Sequence, residues 1–158
     1  MYIKIISVGK IKTEYWSKAI KDYIGRTSVF CKVQEEVVND LKEPNNLNDS
    51  LIKQIKKNES EAILKKIKPE EFVVCLAIEG KSFDSVQLAE LIKNNQNISK
   101  SMVFVIGGSH GLDEIVYKRA NVLLSMSKMT FAHNLAKVIL VEQIYRAFNI
   151  LNNTKYHK

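Results

Sequence analysis

The sequence predicts an α/β fold: a mostly parallel sheet with helices on both faces. Two observations carry the prediction. Short apolar runs alternate along the whole chain with longer segments of helical periodicity. Two of those runs, Phe72-Val73-Val74-Cys75-Leu76-Ala77-Ile78 and Met102-Val103-Phe104-Val105-Ile106, are apolar without interruption, as strands are when both sheet faces are covered. Only 2 prolines and 6 glycines occur, so turns are few and the elements between them long. With no internal repeat or low-complexity tract, 158 residues fit a single domain, 1–158.

Met1 to Val8 alternates as a strand. A helix follows around Glu14–Arg26, where Tyr15, Trp16, Ala19, Ile20 and Tyr23 recur at helical spacing. Val29–Val38 reads as the second strand, and Asn39–Asp49, with Pro44 and several asparagines, as a loop. Asn48 or Asp49 can cap a long helix that runs to about Ile67 and ends before Pro69. After the run at Phe72, a helix over Ser85–Ile92 leads to the strand at Met102. A short helix from Asp113 and a brief strand at Val122-Leu123-Leu124 come next, then a final helix from about His133 to Leu151. The apolar residues of this last helix point in nearly every direction round its axis. A second copy of the chain is therefore expected to cover part of it, as a homodimer.

Composition narrows the partner. Lys and Arg number 24 against 17 acids, a net charge of +7. The excess falls in residues 1–30, 53–68 and 134–158, whereas 31–52 is net negative. A basic surface attracts polyanions, nucleic acid foremost, although lysines that merely solvate helix faces account for the same charge. Cys31 and Cys75, 44 positions apart in apolar segments, read as buried thiols of a reducing compartment. With histidines only at 110, 133 and 157, no metal-ligand spacing occurs, and no metal is expected. No apolar run reaches the ~20 residues of a membrane span, and the N-terminus lacks the pattern of an export signal. The expected location is cytoplasmic.

In open parallel sheets ligands bind beyond the carboxyl ends of the strands, and three loops stand there. They are Ala77-Ile78-Glu79-Gly80-Lys81, Gly107-Gly108-Ser109-His110-Gly111-Leu112 and Ser125-Met126-Ser127-Lys128-Met129-Thr130-Phe131. The glycines of the second match neither the dinucleotide fingerprint nor the P-loop. The third joins a buried strand to a buried helix without glycine or proline, so something besides turn residues must hold its backbone. A nucleoside suits such a place, an apolar slot for the ring with backbone groups at its edge. On the last helix Glu142 and Arg146 are four apart, either an ion pair on the helix surface or an arginine held ready for phosphate. The terminal Tyr156-His157-Lys158 combines a stacking ring, an imidazole and a cation, a tip able to grip a base and a phosphate.

Five blocks together resemble one family. Val8-Gly9-Lys10 with Tyr15-Trp16, Phe104-Val105-Ile106-Gly107-Gly108-Ser109, Ser125-Met126-Ser127-Lys128-Met129-Thr130-Phe131-Ala132-His133, Val141-Glu142-Gln143-Ile144-Tyr145-Arg146-Ala147 and Tyr156-His157-Lys158 are similar, in this order over the full length, to the bacterial ribosomal large-subunit methyltransferase H family. The resemblance implies a SPOUT-class α/β knot with a C-terminal trefoil over about residues 101–158. It also implies a homodimer that uses S-adenosyl-L-methionine (SAM) to methylate N3 of a pseudouridine in 23S rRNA. Carried over by position, the SAM site falls on Leu76, Gly107, Met126, Ser127, Lys128, Met129, Thr130 and Phe131. The RNA side falls on Arg146, Tyr156, His157 and Lys158, acting beside the cofactor of the other subunit. One departure is Ala132, where the family usually has proline.

For the chemistry, His157 is the first candidate to accept the N3 proton and His133 the second. Arg146 would steady negative charge or hold a phosphate, with Tyr156 beside it. A chain this short carries no separate RNA-binding domain, which favours a preformed target such as the assembled ribosome. Two alternatives stand beside this reading: a SPOUT methyltransferase acting on another RNA such as tRNA, and a non-catalytic rRNA-binding assembly factor.

Overall fold

The computed structural model describes residues 2–96, 98 and 101–158. Ten elements follow the predicted alternation: β1 (Tyr2–Val8), α1 (Glu14–Thr27), β2 (Lys32–Val38), α2 (Asp49–Leu64), β3 (Phe72–Ser82), α3 (Ser85–Gln96), β4 (Ser101–Ile106), α4 (Glu114–Arg119), β5 (Val122–Ser125) and α5 (His133–Leu151). The strands form one sheet in the order β2-β1-β4-β3-β5, and every neighbouring pair is parallel.

Period-2 alternation sorts the strand side chains into two cores. Ile3, Ile5, Met102, Phe104 and Val74 face α1, α3 and α5. Ile6, Val8, Val103, Val105, Val73 and Cys75 face α2 and α4. Both sides of β1, β3 and β4 are thus covered, which is why residues 72–78 and 102–106 are apolar throughout, while β1 carries Lys4 and Ser7 among its apolar residues. The helices divide by the strand they follow: α1 and α3 leave β1 and β3 toward one face, α2 and α4 leave β2 and β4 toward the other.

Among the described residues two lysines are buried, and each has a charged partner. Lys4 Nζ on β1 donates to Glu71 Oε2 at 2.9 Å and to the Lys66 carbonyl at 2.7 Å. Lys137 Nζ on α5 meets Glu35 Oε1 at 2.6 Å and Ser7 Oγ at 3.1 Å, tying the last helix to β1 and β2. A buried ammonium without such a partner would carry an uncompensated desolvation cost.

Several boundaries differ from the sequence reading. Met1 lies outside the described residues. β2 begins at Lys32 because Phe30 and Cys31 close a turn onto the Thr27 carbonyl. The second helix is capped by Asn48, whose Oδ1 accepts from Leu51 N at 2.9 Å, and it ends at Leu64. Residues 65–67 then tighten into i→i+3 bonds, Lys66 N to Ile63 O and Ile67 N to Leu64 O. β3 continues to Ser82, well past Ile78.

Helix α5 also packs differently. It lies between α1 and α3 on the sheet, and none of its residues is classed as exposed. Its second apolar side, reserved in the sequence reading for another copy, is largely taken up by α1 and α3. At its start Ala132 holds φ −56°, close to the value that a proline ring imposes. The missing proline therefore changes chain stiffness and not helix direction.

Candidate functional site

The carboxyl ends of β3, β4 and β5 enclose a cavity of about 850 Å³. Leu76, Ile106 and Leu124 form its floor where the three strands end.

The first wall is an excursion within β3. Leu76 pairs with Leu124, the chain leaves the ladder, and Lys81 returns to the same partner, so residues 77–80 arch out over the cavity. Gly80 closes this arch. A Cβ there would lie 2.6 Å from the carbonyl carbon and oxygen of Leu123, so only glycine permits the strand to rejoin. The second wall is the turn after β4. Gly111, at φ +78°, donates its N–H to the Gly108 carbonyl at 3.0 Å. A Cβ on Gly107 would meet Gly111 and Leu112 at 3.0 Å, so backbone itself forms the surface there. The third wall is 126–132. The sequence reading found no turn residues in it, yet serines do that work. Ser125 Oγ donates to the Ser127 carbonyl at 3.0 Å, and Ser127 Oγ accepts from Met129 N at 3.0 Å.

Seven of the eight residues expected to hold the cofactor line this cavity: Leu76, Gly107, Met126, Ser127, Met129, Thr130 and Phe131. Lys128 is exposed and not part of the wall. His133, the second candidate base, and His110 are both on the lining. Sequence reasoning missed Lys56 and Tyr117, which reach the cavity from α2 and α4. Nothing in the sequence marks Lys56 among the other lysines of its helix. Burial raises the Tyr117 phenol above its ordinary pKa, helped by Cys75 and Glu79, and keeps it a neutral hydrogen-bonding group.

The expected RNA side forms a second cluster. Glu142 Oε1 accepts from Arg146 Nε at 3.0 Å and Nη2 at 2.6 Å, and from the Tyr156 hydroxyl at 3.0 Å. The Arg146 guanidinium lies over the Tyr156 ring, 4.7 Å from its centroid, and Tyr145 meets the same ring edge-on at 4.7 Å. A reversal at Asn153 (φ 51°), held by Thr154 N to the Asn149 carbonyl at 3.0 Å, folds the tail back onto α5. Burial first, then hydrogen bonds with Tyr23 and Glu142, push the Tyr156 phenol well above its ordinary range, so it stays protonated at neutral pH. His157 and Lys158 are exposed.

Cavity and tail do not meet within one chain. The last residue of α5 on the lining is Ala136, and Glu142, which Tyr156 meets, stands six residues on, about 9 Å at 1.5 Å per helical residue.

A parallel α/β sheet with a cavity walled by three strand-end loops places the chain among the α/β proteins whose cavity opens at the carboxyl end of the sheet. The chain belongs to the SPOUT methyltransferase family: the model described as "Predicted SPOUT methyltransferase" matches residues 1–157. Its relatives include a protein of Ureaplasma urealyticum serovar 10, 54% identical over the whole of both chains, named ribosomal RNA large subunit methyltransferase H. A protein of the same name from Ureaplasma parvum serovar 3 is 51% identical, again over the whole of both. No helix among the described residues is long and apolar enough to cross a membrane.

Proposed function

We propose that this chain is a SAM-dependent methyltransferase that methylates N3 of a pseudouridine in 23S rRNA, working as a homodimer on the assembled ribosome in the cytoplasm. The observation that carries the reading is the coincidence of the cavity with the positions carried over from the family resemblance. Residues 1–158 act in it as one domain, with the knotted path over about 101–158.

The cavity suits SAM in size and chemistry. At about 850 Å³ it falls in the range of small-molecule sites. Apolar side chains from Leu76, Ile106, Leu124 and Met126 suit the adenine ring, the loop at Gly107 brings bare backbone to its edge, and Lys56 and Glu79 offer opposite charges to the zwitterionic end. When bound, SAM supplies an electrophilic methyl group and leaves as S-adenosylhomocysteine.

The chain's own residues supply position and a proton acceptor. No residue of the tail lines its own cavity, and in this reading the tail acts at the cavity of a second copy. There the His157 imidazole takes the N3 proton as the N3–methyl bond forms. Arg146, oriented by Glu142, faces the carbonyl oxygens or a phosphate, and the Tyr156 hydroxyl donates as a neutral group. Closing the tail over the base excludes water.

The test is methyl transfer from labelled SAM to ribosomes lacking large-subunit pseudouridine methylation, with free subunits, naked rRNA and tRNA in parallel. N3-methylpseudouridine found by mass spectrometry on ribosomes supports the reading. Label on tRNA alone changes the substrate, and absence of SAM binding removes the enzyme.

A further inference from the structure

Strand β4 divides the carboxyl end of the sheet into two crevices. Its chain leaves toward the α2/α4 face, while both neighbours, β1 and β3, leave toward the α1/α3/α5 face. Each of these reversals is a topological switch point, the place where open parallel sheets bind ligands. The crevice between β3 and β4 is the cavity described above. The other, between β1 and β4, holds a separate cavity of about 220 Å³ to which no role has been given.

The two cavities share a wall. Gly108, Ser109, His110 and His133 line both. At Gly108 that wall is bare backbone: a Cβ there would lie 3.1 Å from Glu59 Oε2 and from Val8 Cγ1. On the far side Gly9, at φ +81°, ends β1 by donating to the Val38 carbonyl at 2.8 Å and turns Lys10 to the mouth. Lys42 and Asp40 arrive from the loop after β2. Glu59 stands at the back, 6% exposed, accepting from Leu41 N at 3.2 Å, and Glu43 engages His110 Nε2 at 2.8 Å.

We propose that this second crevice receives a nucleotide of the RNA substrate that neighbours the methylated one, while the target base itself enters the larger cavity beside the methyl donor. The inference rests on the reading of the preceding subsection and deepens it. A uracil-type base carries ring N–H donors between carbonyl acceptors. A crevice with carboxylate acceptors and ammonium donors at its rim matches both, whereas an anion alone would be repelled by Asp40, Glu43 and Glu59. The volume admits one base and no second ring system of cofactor size. Lys10 and Lys42, both exposed, are placed to neutralise the flanking phosphates.

The test uses the full chain and three substitutions of exposed residues: Lys10→Ala and Asp40→Asn in the crevice, and Lys118→Ala on α4, a cation lost from outside it. Steady-state methyl transfer to ribosomes, S-adenosylhomocysteine calorimetry and co-sedimentation with ribosomes without SAM are read for each. Lys10→Ala and Asp40→Asn are expected to raise KM for ribosomes fivefold or more and weaken co-sedimentation. Their affinity for S-adenosylhomocysteine stays within twofold, and Lys118→Ala changes none of these. Unchanged KM and co-sedimentation in both crevice variants overturns the proposal, and so does a parallel loss of S-adenosylhomocysteine affinity, which would make the crevice part of the cofactor site. If the unsubstituted chain binds no S-adenosylhomocysteine, the methyltransferase reading fails, and co-sedimentation alone then decides whether the crevice holds RNA.

Discussion

Gly80 is the residue on which the β3 arch depends, and alanine there is expected to damage stability and cofactor binding together. The added Cβ would meet the Leu123 carbonyl carbon and oxygen at 2.6 Å and the Leu124 carbonyl carbon at 2.9 Å. Ordinary carbon contacts lie at about 3.5–4.0 Å, so the overlap is about 1 Å. All three atoms are backbone in β5, and relief requires β3 and β5 to part where Lys81 rejoins Leu124. Overpacking of this kind costs about 1–3 kcal/mol. For a chain of this size that is a fall in Tm of about 2–12 °C. Because the arch and Leu124 both line the cavity, the affinity for S-adenosylhomocysteine should fall with it. Gly25→Ala is the matched control: Gly25 is exposed near the end of α1, with nothing within 4 Å of its Cβ position. There alanine should raise stability by about 0.5 kcal/mol through helix propensity. Thermal unfolding by circular dichroism and calorimetry of the ligand read both variants. A Gly80→Ala protein with Tm within 1 °C and unaltered affinity would refute the argument from the arch.

Other perturbations test the remaining parts. Burial, with Asp40 nearby, raises the Glu59 carboxyl above its ordinary value against the hydrogen bond from Leu41. The folded state therefore holds that proton more tightly than the unfolded chain, and Glu59 costs stability as pH rises through the window above the normal carboxylate range. Glu59→Gln should gain Tm over the parent at pH 7 relative to pH 4.5, and a pH-independent difference would contradict this. Burial also pushes the Cys31 thiol up to about 11 and the Cys75 thiol to about 12. Both should resist a disulfide reagent in the native protein at pH 7.5 and react at once in denaturant; prompt native labelling of either would place it at the surface. Finally, an equimolar mixture of a Gly107→Val chain and a chain ending at Thr154, each inactive alone, should recover activity after dissociation and reassembly, because one subunit offers an intact cavity and the other an intact tail. No recovery despite mixed dimers in native mass spectrometry would return the tail to its own cavity.

The sequence foretold the strand–helix alternation closely because both cores are strongly periodic: the apolar runs of β3 and β4 read as strands covered on two sides, and β1 reads as a strand by its alternation. It was weaker where structure is held by single atoms. The arch 77–80 has no periodicity, so β3 was expected to end at Ile78. The 126–132 loop is fixed by two serine hydroxyls, each of which in sequence is only a polar residue. Helix α5 shows apolar residues all round, but not that α1 and α3 flank it on both sides. Of the site, the glycines and the 126–131 segment were legible, mostly through family resemblance. Lys56 and Tyr117 were not, since each reaches the cavity from a helix whose pattern records only its buried stripe. The second crevice was invisible for a related reason. Its lining comes from five separate segments, and only strand order brings them together.

The charge of the chain gains meaning from the same geometry. Lys4 and Lys137 are buried, but each is matched by one acid, Glu71 and Glu35, so the excess of basic over acidic side chains, +7 in all, does not reside in these two pairs. Part of it has a definite place. Lys10 and Lys42 flank one crevice and Lys56 lines the other, all at the carboxyl end of the sheet. A polyanion drawn there meets a sheet end at which the two cavities share the wall formed by Gly108, Ser109, His110 and His133. The acidic residues 31–52 do not oppose this. Glu35 is paired with Lys137 and Glu36 with Lys66, at 3.1 Å, while Asp40 and Glu43 line the smaller crevice, where the nucleotide proposed above would offer N–H groups for a carboxylate to accept.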